Sequence, residues 1–273
     1  MTNATPDAGW DCHAHVFGPY CRYPLAAERS YTPPPATLGE YLATLGNLGL
    51  DHGVLVHPSA YGDDSRCVLD ALRECPRLRG GLVLSGERPQ ALAGLRALGV
   101  RGLRFSHRSG SGSNFAGSAG LDDLRALAPA MAREGLHAEL WTDCRALVDL
   151  EDLLRRLPVP VVIDHMGGFD VSSGTHSAGF QALLRLLGEG RVWVKLCVYR
   201  NLPDRSVPDA GEPFHHALLR ANPEQLLWGS DWPHLRVDPP PSTKGLLDLA
   251  MRWTASPSQR SAILRDNPRR LYA

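Results

Sequence analysis

The chain has 273 residues, of which 29 are basic and 29 acidic, so its formal net charge at neutral pH is zero. Hydrophobic residues make up 43% of the sequence and charged residues 21%, a composition typical of soluble globular proteins that excludes a disordered or fibrous chain. Without an excess of positive charge, the chain has no general attraction for nucleic acid or for an acidic membrane surface. We therefore expect a small-molecule partner, and neither a nucleic-acid nor a membrane partner.

The six cysteines are dispersed singly, without a C-x-x-C pair and without the dense spacing of a disulfide-bonded scaffold. Residues 1–10 do not combine a basic segment with an apolar run, and no stretch approaches the roughly 18 apolar residues of a membrane-spanning helix. These features predict reduced thiols in a cytoplasmic enzyme.

Short apolar runs rich in Val, Leu and Ile alternate eight times with longer segments of helical periodicity. Strands are predicted at residues 11–17, 53–59, 80–85, 100–107, 136–142, 159–165, 192–198 and 225–230. Helices are predicted at residues 38–48, 65–74, 90–98, 121–134, 145–156, 179–187, 212–220, 243–253 and 258–271.

Eight βα units in about 250 residues predict an α/β fold of the (β/α)₈ TIM-barrel class, with residues 1–273 as a single domain. The alternative is a doubly wound parallel sheet, which the lack of a G-x-G-x-x-G motif after the first strand disfavours. Two segments, residues 18–37 and 106–120, exceed an ordinary βα loop. Both follow strand C-termini, where a barrel carries its active site, so each is either a substrate lid or a surface loop without chemistry.

Three predicted strands end in residues that can bind a metal or move a proton. His13 and His15 point to the same side of the first strand, His165 ends the sixth strand, and Asp231 follows the eighth. Because parallel strands end together at the barrel mouth, we expect these side chains to converge. Three imidazole nitrogens and one carboxylate oxygen suit a single zinc ion. They equally suit a metal-free site in which the histidines polarise a carbonyl and Asp231 accepts a proton from water.

Other polar residues follow or interrupt the predicted strands. Arg104 and Arg200 are predicted either to hold a substrate carboxylate at the mouth or to form surface ion pairs, and Lys195 to be buried. Cys12 alternates with His13 and is assigned to core packing, whereas His215 is assigned to a helix surface. No G-x-S-x-G motif surrounds Ser59 at the end of the second predicted strand, which argues against a serine nucleophile.

Six motifs occur in order over nearly the whole chain: DCHAHVFGP from residue 11, HPS from 57, RGLRF from 101, DHMGG from 164, VKL from 194 followed by YR, and GSDWPH from 229. Together they resemble the amidohydrolase superfamily (amidohydrolase-related family 2), in particular the branch typified by 2-pyrone-4,6-dicarboxylate lactonase. The resemblance implies a TIM-barrel hydrolase of a small carboxylated lactone or cyclic ester.

The resemblance also implies roles for particular residues. The core catalytic site would comprise His13, His15, His165 and Asp231, with Asp231 activating the hydrolytic water. The residues implied to contact substrate are Tyr31, Ser59, Arg104, Trp141 and Arg200. Relatives either hold zinc at the core residues or work without a metal, so a single divalent ion and none both stay open. The absence of a lysine from the earlier strands argues against a second metal.

The sequence departs from this branch where the branch has arginines, because those positions are Gly110 and Gly168, and Trp141 replaces a tyrosine. Fewer guanidinium groups leave one carboxylate of a pyrone dicarboxylate without a bidentate partner, so we expect a different lactone or ester. The alternatives are a zinc-dependent non-oxidative decarboxylase of an aromatic or unsaturated acid, and an inactive sugar-acid binding protein. Either a monomer or a homodimer is compatible with the sequence.

Overall fold

The structure, a computed structural model, describes residues 9–86, 88–110 and 116–273. Within these ranges eight parallel strands pair in chain order into one sheet. The strands are β1 Trp10–Ala14, β2 His52–Val56, β3 Leu78–Leu82, β4 Val100–Ser106, β5 His137–Trp141, β6 Val161–Ile163, β7 Val192–Leu196 and β8 Leu226–Trp228.

The sheet closes through the chain that follows β8. The backbone N–H of Asp231 donates to the carbonyl of His13 over 2.8 Å, and the N–H of His15 donates to that of Trp232 over 2.8 Å. Ala14 and Trp232 thereby form a parallel bridge. The result is a nearly closed (β/α)₈ barrel, which confirms the predicted fold class and brings β1 and the segment after β8 into direct contact.

Helices pack around the strands with bounds near those predicted. They are α1 Leu38–Leu48, α2 Arg66–Glu74, α3 Leu121–Glu134, α4 Cys144–Arg156, α5 Ala178–Gly188, α6 Glu212–Ala221 and α7 Thr243–Trp253. The side chain of Thr37 accepts the N–H of Glu40 and the carboxylate of Glu40 accepts the N–H of Thr37, which is a capping box. Ser242 caps α7 in a similar way by accepting the N–H of Gly245. Such local signals explain why the starts of α1 and α7 are readable from sequence.

One helix prediction is wrong, and another is confirmed with an irregular turn. Residues 90–98 form two short 3₁₀ turns, Pro89–Leu92 and Leu95–Leu98, because Gly94 between them has a φ of 77° and interrupts the helix. The final predicted helix is confirmed, because α8 Pro257–Ser261, a π-helical turn Ala262–Asp266 and α9 Asn267–Tyr272 follow one another without a break in helical conformation. The π-helical turn precedes Pro268, which has no N–H to donate.

Several strands are also shorter than predicted. Strand β6 ends at Ile163 and β8 at Trp228, so His165 and Asp231 lie in turns beyond the sheet. Both have a positive φ, 49° for His165 and 57° for Asp231, which a regular strand does not allow. Turns at the barrel mouth, and not the strand ends themselves, therefore direct these two side chains.

The buried residues form a large cluster between strands and helices and a smaller cluster within the barrel. The smaller cluster joins β1, β2, β6, β7 and β8 and comprises Trp10, Cys12, Val54, Val162, Trp193, Leu227 and Tyr272. Cys12 shares this face with Trp10 by ordinary alternation, and because the pairing of β1 with β2 shifts register between Asp11 and Ala14, His13 turns to the same side and contacts Lys195. The predicted alternation of Cys12 away from His13 is therefore wrong, although its assignment to core packing is correct.

His215 also differs from its predicted surface position. It is buried in α6, and its Nε2 lies 2.9 Å from the Oγ1 of Thr254. Within the described ranges, no helix has the length and apolar character needed to cross a membrane. Of the predicted loop 106–120, residues 111–115 lie outside the part of the chain that the structure describes.

Candidate active site

The site lies where β1 meets the segment after β8. The buried carboxylate of Asp11 accepts hydrogen bonds from the backbone N–H of Ser230 at 2.8 Å and from its hydroxyl at 2.6 Å. Gly229 allows the close approach, because a Cβ at this position would lie 2.7 Å from the Cβ of His13. These contacts fix the backbone on which His13 and Asp231 are placed.

The structure brings together the four residues of the predicted core site. Oδ1 of Asp231 lies 3.4 Å from Nε2 of His15 and 3.7 Å from Nε2 of His13. The rings of His13 and His165 have centroids 4.9 Å apart. The ligand atoms of His13, His15 and Asp231 all lie within 4.8 Å of one another, and His165 and Cys197 form a similar group with Asp231.

A cavity of about 230 Å³ opens over these residues. Eight of the nine predicted site residues line it, namely His15, Tyr31, Ser59, Arg104, Trp141, His165, Arg200 and Asp231. The ninth, His13, is fully buried and does not reach the wall of the cavity. Ser30, Leu235 and Arg236 complete the lining and were not predicted, because no motif or periodicity marks them.

Asp231 is held as an oriented carboxylate. Its Oδ2 accepts hydrogen bonds from the hydroxyl of Tyr199 at 2.7 Å and from Nε of Arg200 at 2.5 Å, which leaves Oδ1 directed towards the histidines. Burial alone raises the pKa of Asp231, but His165, a hydrogen bond with His15 and the charge of Arg200 together hold that pKa well below its ordinary value. Asp231 is therefore ionised at neutral pH.

The histidines present ring nitrogens to the same space. Nδ1 of His15 lies 2.7 Å from the carbonyl oxygen of Val56, which can only accept, so Nδ1 carries a proton and Nε2 is the ring nitrogen directed towards Asp231. Among the described residues, Nε2 of His13 and Nδ1 of His165 are buried without a hydrogen-bond partner. Burial, followed for His13 by the charge of Lys195, holds the pKa of His13 well below its ordinary value, and burial lowers that of His165 to about 4.

This arrangement fits a divalent metal ion. Nε2 of His15 faces a carboxylate oxygen of Asp231, and the buried Nε2 of His13 lies beside them. Neutral imidazole and ionised carboxylate are the forms that bind such an ion. Cys197 fits less well, because burial raises the pKa of its thiol well above the ordinary value and disfavours the thiolate.

A group of charged residues lies fully buried beside His13. Nζ of Lys195 lies 2.6 Å from Oε1 of Glu139, 3.5 Å from Oδ1 of Asp164 and 3.1 Å from Nδ1 of His13. Nδ1 of His13 is also 3.2 Å from Oδ1 of Asp164. The predicted burial of Lys195 is correct, since its side chain is 0% exposed. Sequence reasoning missed the part played by Glu139, whose only signal is a charge inside the apolar strand β5.

The two predicted substrate-binding arginines contact acids. Nη2 of Arg104 lies 3.2 Å from Oδ2 of Asp164, while Arg200 binds Asp231 and donates from Nη1 to the carbonyl of Leu235 at 2.8 Å. Both acids are buried, so these are not the surface ion pairs that the sequence left as an alternative. A guanidinium has five N–H donors, so each arginine keeps donors for a ligand in the cavity.

The family model described as Amidohydrolase matches residues 10–273. The chain belongs to the amidohydrolase family. It is 36% identical to a 4-sulfomuconolactone hydrolase of Rhizobium radiobacter over 280 residues, covering 98% of this chain and 91% of the relative. It is 32% identical to a 2-pyrone-4,6-dicarbaxylate hydrolase of Comamonas testosteroni over 284 residues, covering 98% and 90%. A solved structure of a Pseudomonas putida protein described as a 2-pyrone-4,6-dicarboxylic acid hydrolase superposes with a TM-score of 0.83 at 33% identity, covering 98% of each chain. This chain is therefore an enzyme, a hydrolase of that family.

In this amidohydrolase the first long loop forms part of the cavity wall. It contributes Ser30 and Tyr31, which line the cavity together with Ser59. Gly117 packs on the backbone of Ser59 with a φ of 78°, and a Cβ there would lie 2.2 Å from the Ser59 carbonyl oxygen, so only glycine fits. The guanidinium carbon of Arg108, from the same loop as Gly117, lies 4.8 Å from the ring centroid of Trp141. The first long loop therefore lines the cavity, whereas the described residues of the second contact Ser59 and Trp141 without lining it.

Proposed function

We propose that this amidohydrolase hydrolyses a small carboxylated lactone or related cyclic ester. The observation that carries the proposal is the carboxylate of Asp231, which is bound through one oxygen by Tyr199 and Arg200 while the other faces His13 and His15. The relatives named 4-sulfomuconolactone hydrolase and 2-pyrone-4,6-dicarbaxylate hydrolase act on cyclic esters by name, which supports this substrate class. The cavity of about 230 Å³ is below the roughly 300–1,000 Å³ of drug-sized ligand sites, which favours a monocyclic substrate.

In the proposed reaction Asp231 accepts a proton from water as the water oxygen bonds to the lactone carbonyl carbon. The ring nitrogens of His13, His15 and His165 surround the oxygen on which negative charge develops, and those that carry a proton donate to it. When the ring C–O bond breaks, the proton held by Asp231 passes to the leaving oxygen, so that a hydroxy acid forms.

The substrate is held by residues on the remaining walls. Arg104 and Arg200 orient its carboxylate through the N–H groups that their acid partners leave free, which places the carbonyl next to Asp231. Tyr31, Ser59 and Trp141 contact the ring.

A single metal ion, zinc, is part of this proposal as an optional component. The residues that would hold it are His13, His15, His165 and Asp231, which the geometry described above supports. When bound, such an ion supplies Lewis-acid polarisation of the carbonyl and lowers the pKa of water. We further propose a cytoplasmic protein, consistent with its six free cysteines, that forms one domain over residues 1–273 and acts as a monomer or homodimer.

The decisive experiment assays a panel of monocyclic lactones, with and without a carboxylate, in the presence of zinc and in the presence of a chelator. We expect acid release from carboxylated lactones, and Asp231→Asn to lower kcat/KM by about 10²–10⁴-fold while the protein remains folded. The matched control is Asp209→Asn, an exposed carboxylate that does not line the cavity.

Two outcomes would contradict this proposal. If Asp231→Asn retains the wild-type rate, Asp231 does not accept the proton. If no lactone opens but carbon dioxide is released from aromatic or unsaturated acids with strict zinc dependence, the enzyme is a decarboxylase. The response to chelator decides separately whether the ion is required.

A further inference from the structure

A second, smaller cavity lies beside the active-site cavity, near the ends of β2, β3 and β4. Its volume is about 20 Å³. Ser59, Arg104 and Trp141 line both cavities, so the two share this wall. His57 lines the smaller cavity but not the larger one, and the function proposed above does not use it.

His57 is a buried polar residue whose ring lacks a partner. It follows β2 directly, and its backbone N–H donates to the carbonyl of Gly81 in β3 over 2.8 Å, which fixes its position. The residue is 0% exposed, and neither Nδ1 nor Nε2 has a hydrogen-bond partner among the described residues. Burial lowers the pKa of His57 to about 4, although the backbone of Gly62 opposes this effect. The ring is therefore neutral at pH 7 and offers one N–H donor and one lone pair.

The smaller cavity has the size and the lining to hold one water molecule. A cavity needs roughly 10–15 Å³ for one water, and the water needs about two to four polar partners. The lining supplies the ring of His57, the guanidinium of Arg104 and the hydroxyl of Ser59. Because arginine can only donate and a neutral imidazole can also accept, one water can accept from Arg104 and donate to the lone pair of His57.

Such a contact would hold Arg104 from the side that faces away from its ion pair. Nη2 of Arg104 lies 3.2 Å from Oδ2 of Asp164, which follows β6. In the order of the sheet, β6 lies two strands from β4 on one side, and β2, which precedes His57, lies two strands from β4 on the other. A long side chain that is held from two sides loses rotamer freedom before the ligand binds, which strengthens binding.

We propose that His57 is a positioning residue that acts through one ordered water molecule in the smaller cavity and fixes the guanidinium of Arg104 for the carboxylate of the substrate. His57 itself does not touch the substrate. This inference rests on the proposed function for the role of Arg104, but the binding of a carboxylate can be measured without turnover.

Calorimetric titration with benzoate, and with benzamide as its uncharged analogue, tests the proposal. We expect His57→Leu to weaken benzoate binding about five- to tenfold, the effect of one lost hydrogen bond, and benzamide binding by less than about twofold. His57→Gln should restore most of the benzoate affinity, because its amide offers both a donor and an acceptor. The matched control is His215→Leu, which removes an equally buried histidine outside both cavities and should leave benzoate affinity unchanged.

A second variant tests the water itself and does not depend on the folding of His57→Leu. Val83 also lines the smaller cavity, and Val83→Ile adds one methylene group there while His57 and Arg104 stay in place. This variant should weaken benzoate binding about as much as His57→Leu does. Crystal structures should show one ordered water within hydrogen-bond distance of His57 and Arg104 in the wild-type enzyme, and no water there in Val83→Ile.

Unchanged benzoate affinity in both cavity variants would overturn the proposal, as would an equal loss in His215→Leu or a wild-type crystal structure without the water. The lactone assay separates this result from the proposed function. If no lactone is hydrolysed while benzoate affinity depends on His57, the hydrolysis fails and the positioning role stands. If lactones are hydrolysed while benzoate affinity does not depend on His57, the positioning role fails and the hydrolysis stands.

Discussion

Lys195→Met removes the only lysine of the barrel strands from a fully buried group of charges, and we expect it to destabilise the protein strongly. Nζ of Lys195 lies 2.6 Å from Glu139 and 3.5 Å from Asp164. With an effective dielectric constant of about 20, these separations correspond to attractions of about 6 and about 5 kcal/mol before the cost of desolvating the charges. Removing one partner of such a buried pair typically costs about 3–5 kcal/mol, because the remaining charge is left uncompensated.

The pKa of Glu139 determines how the loss of unfolding free energy in Lys195→Met depends on pH. Burial raises the pKa of Glu139, and Lys195 opposes part of that rise, so the variant should have a still higher Glu139 pKa. A carboxyl group with a raised pKa in the folded state destabilises the fold as pH rises through its unfolded and then its folded pKa. The difference in unfolding free energy between wild type and Lys195→Met should therefore be larger at pH 8 than at pH 6.

Urea unfolding at both pH values measures the effect, with the double variant Lys195→Met/Glu139→Gln as the internal control. Because the double variant removes both charges of the closest pair, it should be more stable than Lys195→Met alone, with a coupling free energy of at least about 1 kcal/mol. A single variant within about 1 kcal/mol of wild type at pH 8, or a double variant no more stable than the single one, would refute the electrostatic reasoning.

Two further predictions concern a hydrogen bond to Asp231 and the burial of His215. Tyr199→Phe removes the hydroxyl that donates to Asp231 over 2.7 Å. We expect kcat/KM to fall by about tenfold and the acidic limb of its pH–rate profile to move to higher pH. An acidic limb at the wild-type pH together with an unchanged kcat/KM would contradict this role. Burial lowers the pKa of His215 to about 4 in the folded protein. Between this value and its unfolded pKa of about 6.5, His215 is protonated in the unfolded chain but not in the folded protein. Stability should therefore decline as pH falls from about 6.5 towards 4, and in His215→Asn the slope of unfolding free energy against pH should be reduced by up to about 1.4 kcal/mol per pH unit. An identical slope in the variant would show that His215 does not contribute.

Much of the fold follows from local sequence patterns. Alternating apolar runs predict all eight strands, and caps such as Thr37 and Ser242 place helix starts, because these signals act between residues a few positions apart. The same patterns fail at 90–98, where a left-handed glycine interrupts helical periodicity, and they do not reveal the π-helical turn within the final helix. The spacing of His13 and His15, and the strand that precedes Asp231, predict the convergence of the core residues because a parallel barrel gathers its strand ends on one face.

By itself, then, the sequence determined the barrel, its order of strands and the histidines and aspartate that meet at its mouth, since each depends on local periodicity and on the topology it implies. Only the tertiary structure decided the charge partners: Lys195 meets His13, which is 182 positions away in sequence, and Arg104 meets Asp164, which is 60 positions away. It also decided that Arg236 lines the cavity, and that a register shift in β1 brings His13 to the same side of the strand as Cys12. These features depend on side chains and backbone distant in sequence, and such contacts leave no periodic signal in the chain.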